Sequence, residues 1–163
     1  MSDFEARKKE LLQPLLFEAG AALLDCQGFE FGIALLLFHF ARLGTTGLDP
    51  KKVSLILENQ DKKTAGQLIS LLKKHVTVSE GIETALEEAL AARNTLVHRV
   101  LIDNIEQVAQ AETRTSLVRD IRALRTQVQK AAKLLRPFVI AFGEALDGVQ
   151  QQELEQEVRQ ALS

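Results

Sequence analysis

A chain of 163 residues is long enough to form one domain with a substantial hydrophobic core. Aliphatic residues and alanine dominate, tyrosine and tryptophan are missing, and proline occurs only three times, a composition that favours an all-helical protein. The formal net charge of -2 excludes the general basic excess of a non-specific nucleic-acid coat, so any contact with nucleic acid must be local.

The sequence contains few of the residues and segments that indicate a disulfide, a metal site, secretion or a membrane span. Cys26 is the single cysteine, so no intrachain disulfide can form, and the spacing of cysteine and histidine indicates no zinc site. The polar N-terminus is unlike a signal peptide, and the longest apolar run, 31–38, is too short to span a bilayer. We therefore expect a cytoplasmic protein with no cofactor, no metal and no membrane contact.

In chain order, capping signals and apolar periodicity first predict two helices. Ser2 with Glu5 forms a capping box that opens a helix, and a break or bend is expected around Gln27-Gly28. The segment 29–43 is apolar almost all round, which predicts a buried central helix. Gly44-Thr-Thr-Gly47 is expected to end it.

The rest of the chain carries further N-caps and periodic apolar positions. The helices that they predict are 50–58 after Asp49-Pro50, 65–75 after a Thr64–Gln67 capping box, 79–101 from Ser79, and a long helix from 105 or 113 to 146. Pro137 is expected to kink the long helix, and Gly148 to separate a last segment that is helical or frayed. The predicted organisation is a compact all-α bundle of five to six helices at 1–147 with a C-terminal tail at 148–163.

The most informative residues lie in the helix predicted at 79–101. A helical wheel places Arg93 within a stripe formed by Ile82, Leu86, Ala89, Leu90, Leu96, Val97 and Val100. A guanidinium rarely lies on a core face unless it is paired or the face meets something other than the core. Asn94 and His98 are four residues apart and are neighbours at the edge of the stripe. An arginine, an amide and an imidazole on one surface suit phosphate chemistry.

A simpler interpretation of these residues stays open. Arg93 can extend along the apolar surface with its charged head in water, and His98 can cover the edge of the helix. An arginine five residues before a histidine arises by chance in roughly one such protein in five. The requirement for asparagine directly after the arginine lowers that frequency about tenfold or more.

A second candidate surface lies on the predicted long helix. Its cations fall on one side of the helical wheel, opposite an apolar stripe, and are Arg119, Arg122, Arg125, Lys130, Lys133 and Arg136. Either they form a solvent-exposed face, or they bind the phosphate backbone of a nucleic acid. The pattern does not separate these two interpretations.

The stretch Arg93-Asn-Thr-Leu-Val-His98 resembles the signature of the HEPN superfamily, the "higher eukaryotes and prokaryotes nucleotide-binding" helical domains. That signature is an arginine, four to six residues and a histidine, with a polar residue commonly after the arginine. The resemblance implies a compact helical bundle that forms a homodimer in which two motifs face one cleft. Many members are metal-independent ribonucleases, often toxins or anti-phage effectors, whereas others are inactive binding or scaffolding modules.

Carried over to this sequence, the resemblance makes Arg93, Asn94 and His98 the catalytic residues of a toxin-like or defence-like endoribonuclease. RNA would be its substrate, and an antitoxin or another protein its partner. The imidazole can act as general base or acid, and the guanidinium can stabilise charge on the phosphorane. The alternative is a non-catalytic binding or adaptor module for nucleotide, RNA or protein. A transcriptional regulator would need a helix-turn-helix signature, which is missing.

Overall fold

The computed structural model of the chain describes residues 3–58 and 60–161. The described residues are predominantly helical and contain no strand, which confirms the predicted all-α class. The described helices are α1 (Asp3–Arg42), α2 (Pro50–Leu57), α3 (Ala65–His75), α4 (Glu80–His98), α5 (Ile105–Ala109) and α6 (Ala111–Ala161). Their number agrees with the five to six that the sequence predicts.

The chain divides into two compact units. Unit 1 combines Met1–Phe29 with Ser79–Ala132, and unit 2 combines Glu30–Val78 with Lys133–Ser163. The long helices α1 and α6 each contribute one part to unit 1 and another to unit 2. The assignment of 1–147 as one HEPN-like domain and 148–163 as a tail stays a prediction.

The helix α1 runs without interruption through Gln27-Gly28, so a break there is wrong. The alternative, a bend, stays a prediction. A glycine inside a helix costs only about 1 kcal/mol relative to alanine. Cys26 and Phe29, which flank this point in unit 1, are 2% and 1% exposed. Burial of these side chains offsets the cost of the glycine. The predicted Ser2–Glu5 capping box cannot be compared, because Ser2 lies outside the described residues.

The part of α1 in unit 2 is buried on one face only. Ile33, Leu36 and Leu37 are at most 3% exposed, as the predicted central helix requires. Phe31 is 56% exposed, however, so the nearly continuous apolar character of 29–43 does not mean burial on all sides. After α1, Gly44 and Gly47 both adopt positive φ angles, of 87° and 84°. These glycines end the helix as predicted.

The helix α6 continues through both Pro137 and Gly148 as far as Ala161. The predicted separation of a last segment at Gly148 is therefore wrong. The helix begins at Ala111, and the short α5 precedes it as a separate element. Leu135 and Leu146 are buried on the unit 2 part of α6, which gives this helix an apolar contact on each side of Pro137.

The helix α1 also has the composition of a membrane-spanning segment. Within Ala6–Arg42 an 18-residue window has a mean hydropathy of 1.6, and 39% of that window is buried inside the protein. Length and composition alone do not separate a membrane span from the core helix of a soluble protein or from a signal sequence. The cytoplasmic location stays a prediction.

Local capping interactions fix α2 and α3 where the sequence predicts them. The Asp49 carboxylate accepts from the backbone N–H of Lys51 at 3.0 Å. Thr64 and Gln67 form the complete capping box, with backbone–side-chain hydrogen bonds of 2.8 and 3.3 Å. Each bond satisfies an N–H that the first helical turn leaves without a partner. The predicted starts of both helices are confirmed.

We expect Gly47→Ala to lower the free energy of unfolding by about 1–2 kcal/mol, because an L-residue is strained in the left-handed region. A Cβ atom there would also lie 2.8 Å from Cε1 of His75, too close for an ordinary contact. Gly44→Ala is the matched control, since Gly44 has a similar φ of 87° but no atom within 4 Å of the added Cβ. Urea unfolding of both variants measures the difference. Equal losses would show that the His75 contact contributes nothing.

Candidate functional site

The predicted motif occupies the last two turns of α4. This helix begins at Glu80 and ends at His98, three residues before the predicted end at Leu101. The backbone N–H of Arg99, the C-cap residue, donates to the carbonyl oxygen of Thr95 at 3.0 Å and closes the last turn. His98 is therefore the final helical residue, at an exposed helix end.

The buried face of α4 lies beside the motif. Its members are Ala85, Leu86, Ala89, Ala92 and Leu96. Arg93 is half-buried next to this face, whereas Asn94 and His98 are exposed. Val97, which the sequence places within the apolar stripe, is 36% exposed. The centre of the buried face thus falls nearer Ala92 than Arg93, because the helix packs on its small alanine side chains.

The structure brings the three predicted site residues together around one nitrogen atom. Nη1 of Arg93 donates to Oδ1 of Asn94 at 3.2 Å. The same Nη1 lies 3.1 Å from Nε2 of His98. A guanidinium has no acceptor, so Nε2 must accept in this contact. This hydrogen bond requires the tautomer of His98 that carries its proton on Nδ1.

This arrangement can recognise a phosphate at a solvent-accessible position. The guanidinium is a planar cation whose fork matches phosphate oxygens. The amide of Asn94 and the imidazole of His98 add hydrogen-bonding groups beside it. All three side chains come from one short helical segment, so their spacing is fixed by the backbone of α4 rather than by a loop.

Exposed apolar side chains follow the motif directly. Leu101, Ile102 and Ile105 are between 39% and 75% exposed. A 2.8 Å ion pair between Arg99 and Asp103 spans the turn that carries Leu101 and Ile102. Large exposed apolar patches mark interaction surfaces, whereas single exposed apolar residues do not. We call Leu101, Ile102 and Ile105 the post-motif apolar cluster.

Half of the basic face predicted on the long helix is paired with acidic side chains within unit 1. Nε of Arg122 donates to Oε1 of Glu18 at 2.6 Å, and Nη1 of Arg125 donates to Oε2 of Glu18 at 2.8 Å. Arg125 Nε also donates to Asp25 at 2.7 Å. Farther along α6, the ammonium of Lys130 lies 4.0 Å from a carboxylate oxygen of Glu88. Three of the six predicted cations therefore have acidic neighbours.

The carboxylate of Glu18 is the centre of this network. Among the described residues, Glu18 is the charged residue that is buried, with 4% of its surface exposed. The hydrogen bond from Arg122 lowers the pKa of Glu18, burial acts in the opposite sense, and the hydrogen bond from Arg125 lowers it further. The pKa of Arg125 is raised, first by its hydrogen bond to Asp25 and then by Glu18, against the effect of burial. The network is a structural tie between α1 and α6 within unit 1.

The sequence does not predict this network, because its partners are about 100 residues apart along the chain. The signal available in the sequence was Glu18 itself, an acidic residue among the apolar positions of α1. Among residues 3–58 and 60–161, no group of three or more histidine, cysteine, aspartate or glutamate side chains could hold a metal ion.

Comparison with known proteins gives limited similarity. No family model matches the chain, and no solved structure matches it. The chain is 38% identical over 79 residues to the phosphoribosylaminoimidazole-succinocarboxamide synthase of Magnetococcus marinus. The similar region covers 48% of this chain and 31% of that protein, so the chain spans about a third of the length of the curated relative it matches. This is too little to place the chain in the family of that synthase, and membership of the HEPN superfamily stays a proposal.

Proposed function

We propose that this protein is a metal-independent endoribonuclease of HEPN type, toxin-like or defence-like, with Arg93, Asn94 and His98 in its active site. The observation that supports it is the geometry around Nη1 of Arg93, which lies 3.2 Å from Oδ1 of Asn94 and 3.1 Å from Nε2 of His98. A cation, an amide and an imidazole are thus held together at an exposed helix end.

The proposed reaction uses the 2′-hydroxyl of RNA as the nucleophile. This oxygen attacks the adjacent phosphorus, and the bond from phosphorus to the 5′-oxygen of the next nucleotide breaks. A general base accepts the proton of the 2′-hydroxyl, and a general acid donates one to the departing 5′-oxygen. The products are a 2′,3′-cyclic phosphate and a 5′-hydroxyl. Each role suits a histidine, whose ordinary pKa lies near neutrality.

The hydrogen bond between Arg93 and His98 gives substrate binding a specific consequence. A phosphate oxygen that binds Nη1 of Arg93 displaces Nε2 of His98 from that nitrogen. The lone pair of Nε2 is then available to accept the proton of the 2′-hydroxyl. Arg93 stabilises the charge that develops on the phosphorane, and Asn94 orients the imidazole or a non-bridging oxygen. Binding and activation of the base are coupled in this scheme.

One motif supplies a single imidazole, whereas the reaction needs both an acid and a base. We therefore propose a homodimer with two-fold symmetry in which each copy contributes one motif. The post-motif apolar cluster supports this arrangement, because it lies next to His98 in the chain and Ile102 is 75% exposed. Burial of such side chains is the main favourable contribution to protein association.

We expect the protein to sediment as a dimer at micromolar concentration and Ile102→Glu to sediment as a monomer, because a charge would be buried in the apolar contact. Leu55→Glu is the matched control, since Leu55 is also exposed, at 40%, but lies on α2. The control should stay dimeric. A wild-type monomer would contradict the composite active site.

The direct test is incubation of the purified protein with structured and unstructured RNA in EDTA. Cleavage that leaves 2′,3′-cyclic phosphate ends is expected, since no step uses a metal.

A specific observation favours one alternative, a non-catalytic module that binds nucleotide or RNA. Nε2 of His98 is engaged by Arg93, and the same contact can hold a phosphate without proton transfer. RNA that binds at the motif but is never cut would support that alternative.

A further inference from the structure

The segment that contains α2 and α3 is basic, although the chain as a whole is acidic. Residues 49–75 contain six lysines and three acidic residues, a formal charge of +3, in a chain of formal charge -2. The lysines occur as three Lys-Lys pairs spaced eleven residues apart, at 51–52, 62–63 and 73–74. This is the local basic excess that a polyanion contact requires in a protein with no general positive charge.

The fold places two of these pairs at one end of the helical hairpin. Nδ1 of His75 lies 3.2 Å from the carbonyl oxygen of Thr46, which ties the end of α3 to the loop before α2. The start of α2, which carries the pair 51–52, therefore lies near the end of α3, which carries the pair 73–74. The third pair, 62–63, precedes α3, whose eleven residues span about 16 Å.

A shallow, open depression of about 510 Å³ follows one face of α3. Its lining is mostly apolar and consists of Lys63, Thr64, Gly66, Gln67, Ser70, Leu71 and Lys74. The ammonium of Lys63 is partly neutralised by Asp61 at 2.9 Å. The depression therefore has a cation at each end, Lys63 and Lys74, and its floor contributes little polar surface.

Exposed lysines lie at both ends of the α2–α3 hairpin. Lys51, Lys52, Lys62 and Lys74 are all exposed, and we call them the hairpin lysine surface. Within the part of the chain that the structure describes, their ammonium groups form no ion pair. An ammonium is a compact point charge that binds phosphate oxygens without reading a sequence. Such a surface suits a ligand that carries successive phosphates.

We propose that the hairpin lysine surface binds single-stranded RNA through its phosphates. The existence of an anion-binding surface rests on the lysines, whereas the choice of RNA among polyanions rests on the proposed function. An anionic membrane is less suited, because membrane-surface helices insert several apolar side chains. On the described part of 44–78, Leu55 is the exposed large apolar residue. The surface would hold RNA independently of its sequence.

The binding test uses a probe that the proposed enzyme cannot cut. A fluorescein-labelled, fully 2′-O-methylated pyrimidine 20-mer lacks the 2′-hydroxyl nucleophile but keeps every phosphate. Its affinity is measured by fluorescence anisotropy across a range of salt concentrations. The wild-type protein should bind with a log–log salt slope near -3, since each phosphate neutralised on a single strand contributes about -0.7.

Two double variants that each remove two positive charges distinguish binding at the hairpin lysine surface from non-specific attraction of RNA to any lysine. Lys51→Gln/Lys52→Gln is expected to weaken binding roughly tenfold at low salt and to reduce the salt slope by about 1.4. Lys8→Gln/Lys9→Gln is the matched control, because these lysines are also adjacent and exposed but lie on the unit 1 part of α1. The control should bind within twofold of wild type. Circular dichroism confirms that both variants keep their helices.

The uncleavable probe separates this proposal from the proposed function. Loss of affinity in Lys51→Gln/Lys52→Gln is measured on the 20-mer whether or not any RNA is ever cleaved. The proposal is overturned if the two double variants lose affinity equally or if wild type does not bind the 20-mer at low salt. Binding to phosphatidylserine vesicles without binding to the oligonucleotide would overturn it in favour of a membrane surface.

Discussion

Replacement of His98 by alanine is expected to lower the rate of RNA cleavage in EDTA by roughly 10²- to 10⁴-fold, the usual contribution of a positioned acid or base. Arg93→Ala should lower it by about 10²- to 10³-fold, because a fixed cation at the developing charge is lost. Arg93→Lys should restore only part of the rate, since an ammonium keeps the charge but not the fork. Rates are measured by single-turnover cleavage of end-labelled RNA.

Arg99→Ala is the matched control for the Arg93 variants. Arg99 follows the motif directly, but its side chain is 70% exposed and pairs with Asp103 rather than with His98. Its loss should change the cleavage rate by less than about fivefold, as expected for a surface ion pair. Each variant must first sediment as wild type does. Cleavage that persists in both His98→Ala and Arg93→Ala would assign the activity to another site.

Glu18→Gln is expected to lower the free energy of unfolding by about 2–3 kcal/mol. The glutamine has nearly the same shape, so the change removes charge from two hydrogen bonds to Arg122 and Arg125 without opening a cavity. The estimate lies below that for a fully buried ion pair, because the Arg122 side chain is 64% exposed and its contribution is weakened by solvent. Urea unfolding at neutral pH measures the difference.

The pH dependence of this effect has a defined sign. The folded-state pKa of Glu18 lies below its ordinary value of 4.5, first because of the hydrogen bond from Arg122. Its stabilisation is therefore fully present above pH 4.5 and is lost as the pH falls through the lower, folded-state pKa. The stability difference between wild type and Glu18→Gln should be constant from neutral pH to about pH 5 and should shrink in stronger acid.

Glu10→Gln is the matched control for Glu18. Glu10 lies two turns earlier on α1 and is exposed, so its substitution should change the free energy of unfolding by less than about 0.5 kcal/mol. An equal loss in Glu10→Gln and Glu18→Gln would show that net charge, rather than the paired network, determines the effect. A difference from wild type that does not shrink in acid would contradict the assigned role of the carboxylate.

The elements that the sequence predicts correctly depend on neighbours within one helical turn. Asp49 accepts from the N–H two residues later, and Thr64 and Gln67 bond to each other across three residues. The proximity of the motif residues has the same local origin, because Arg93, Asn94 and His98 lie within six consecutive residues. Their functional role stays a prediction. Their proximity in the structure follows from the geometry of one helix.

The predicted break at Gln27-Gly28 fails for a different reason. A glycine lowers helix propensity by an amount that packing of adjacent side chains can exceed. In α1, Cys26 and Phe29 are almost fully buried at this point. Local propensity therefore determines where a helix can end, while tertiary contacts determine where it does end. A single sequence contains the first kind of information but not the second.

The all-α class, the caps of α2 and α3 and the composition of the motif were determined by the sequence alone, because they depend on composition and on contacts a few residues apart. The tertiary structure decided which side chains meet across longer distances. It pairs Glu18 with Arg122 over 104 residues and places His75 against the loop before α2 over 29 residues. It thereby pairs three of the six cations on the basic face of α6 and leaves exposed lysines on the α2–α3 hairpin. Such contacts depend on how the helices pack, and periodicity along the chain does not specify that packing.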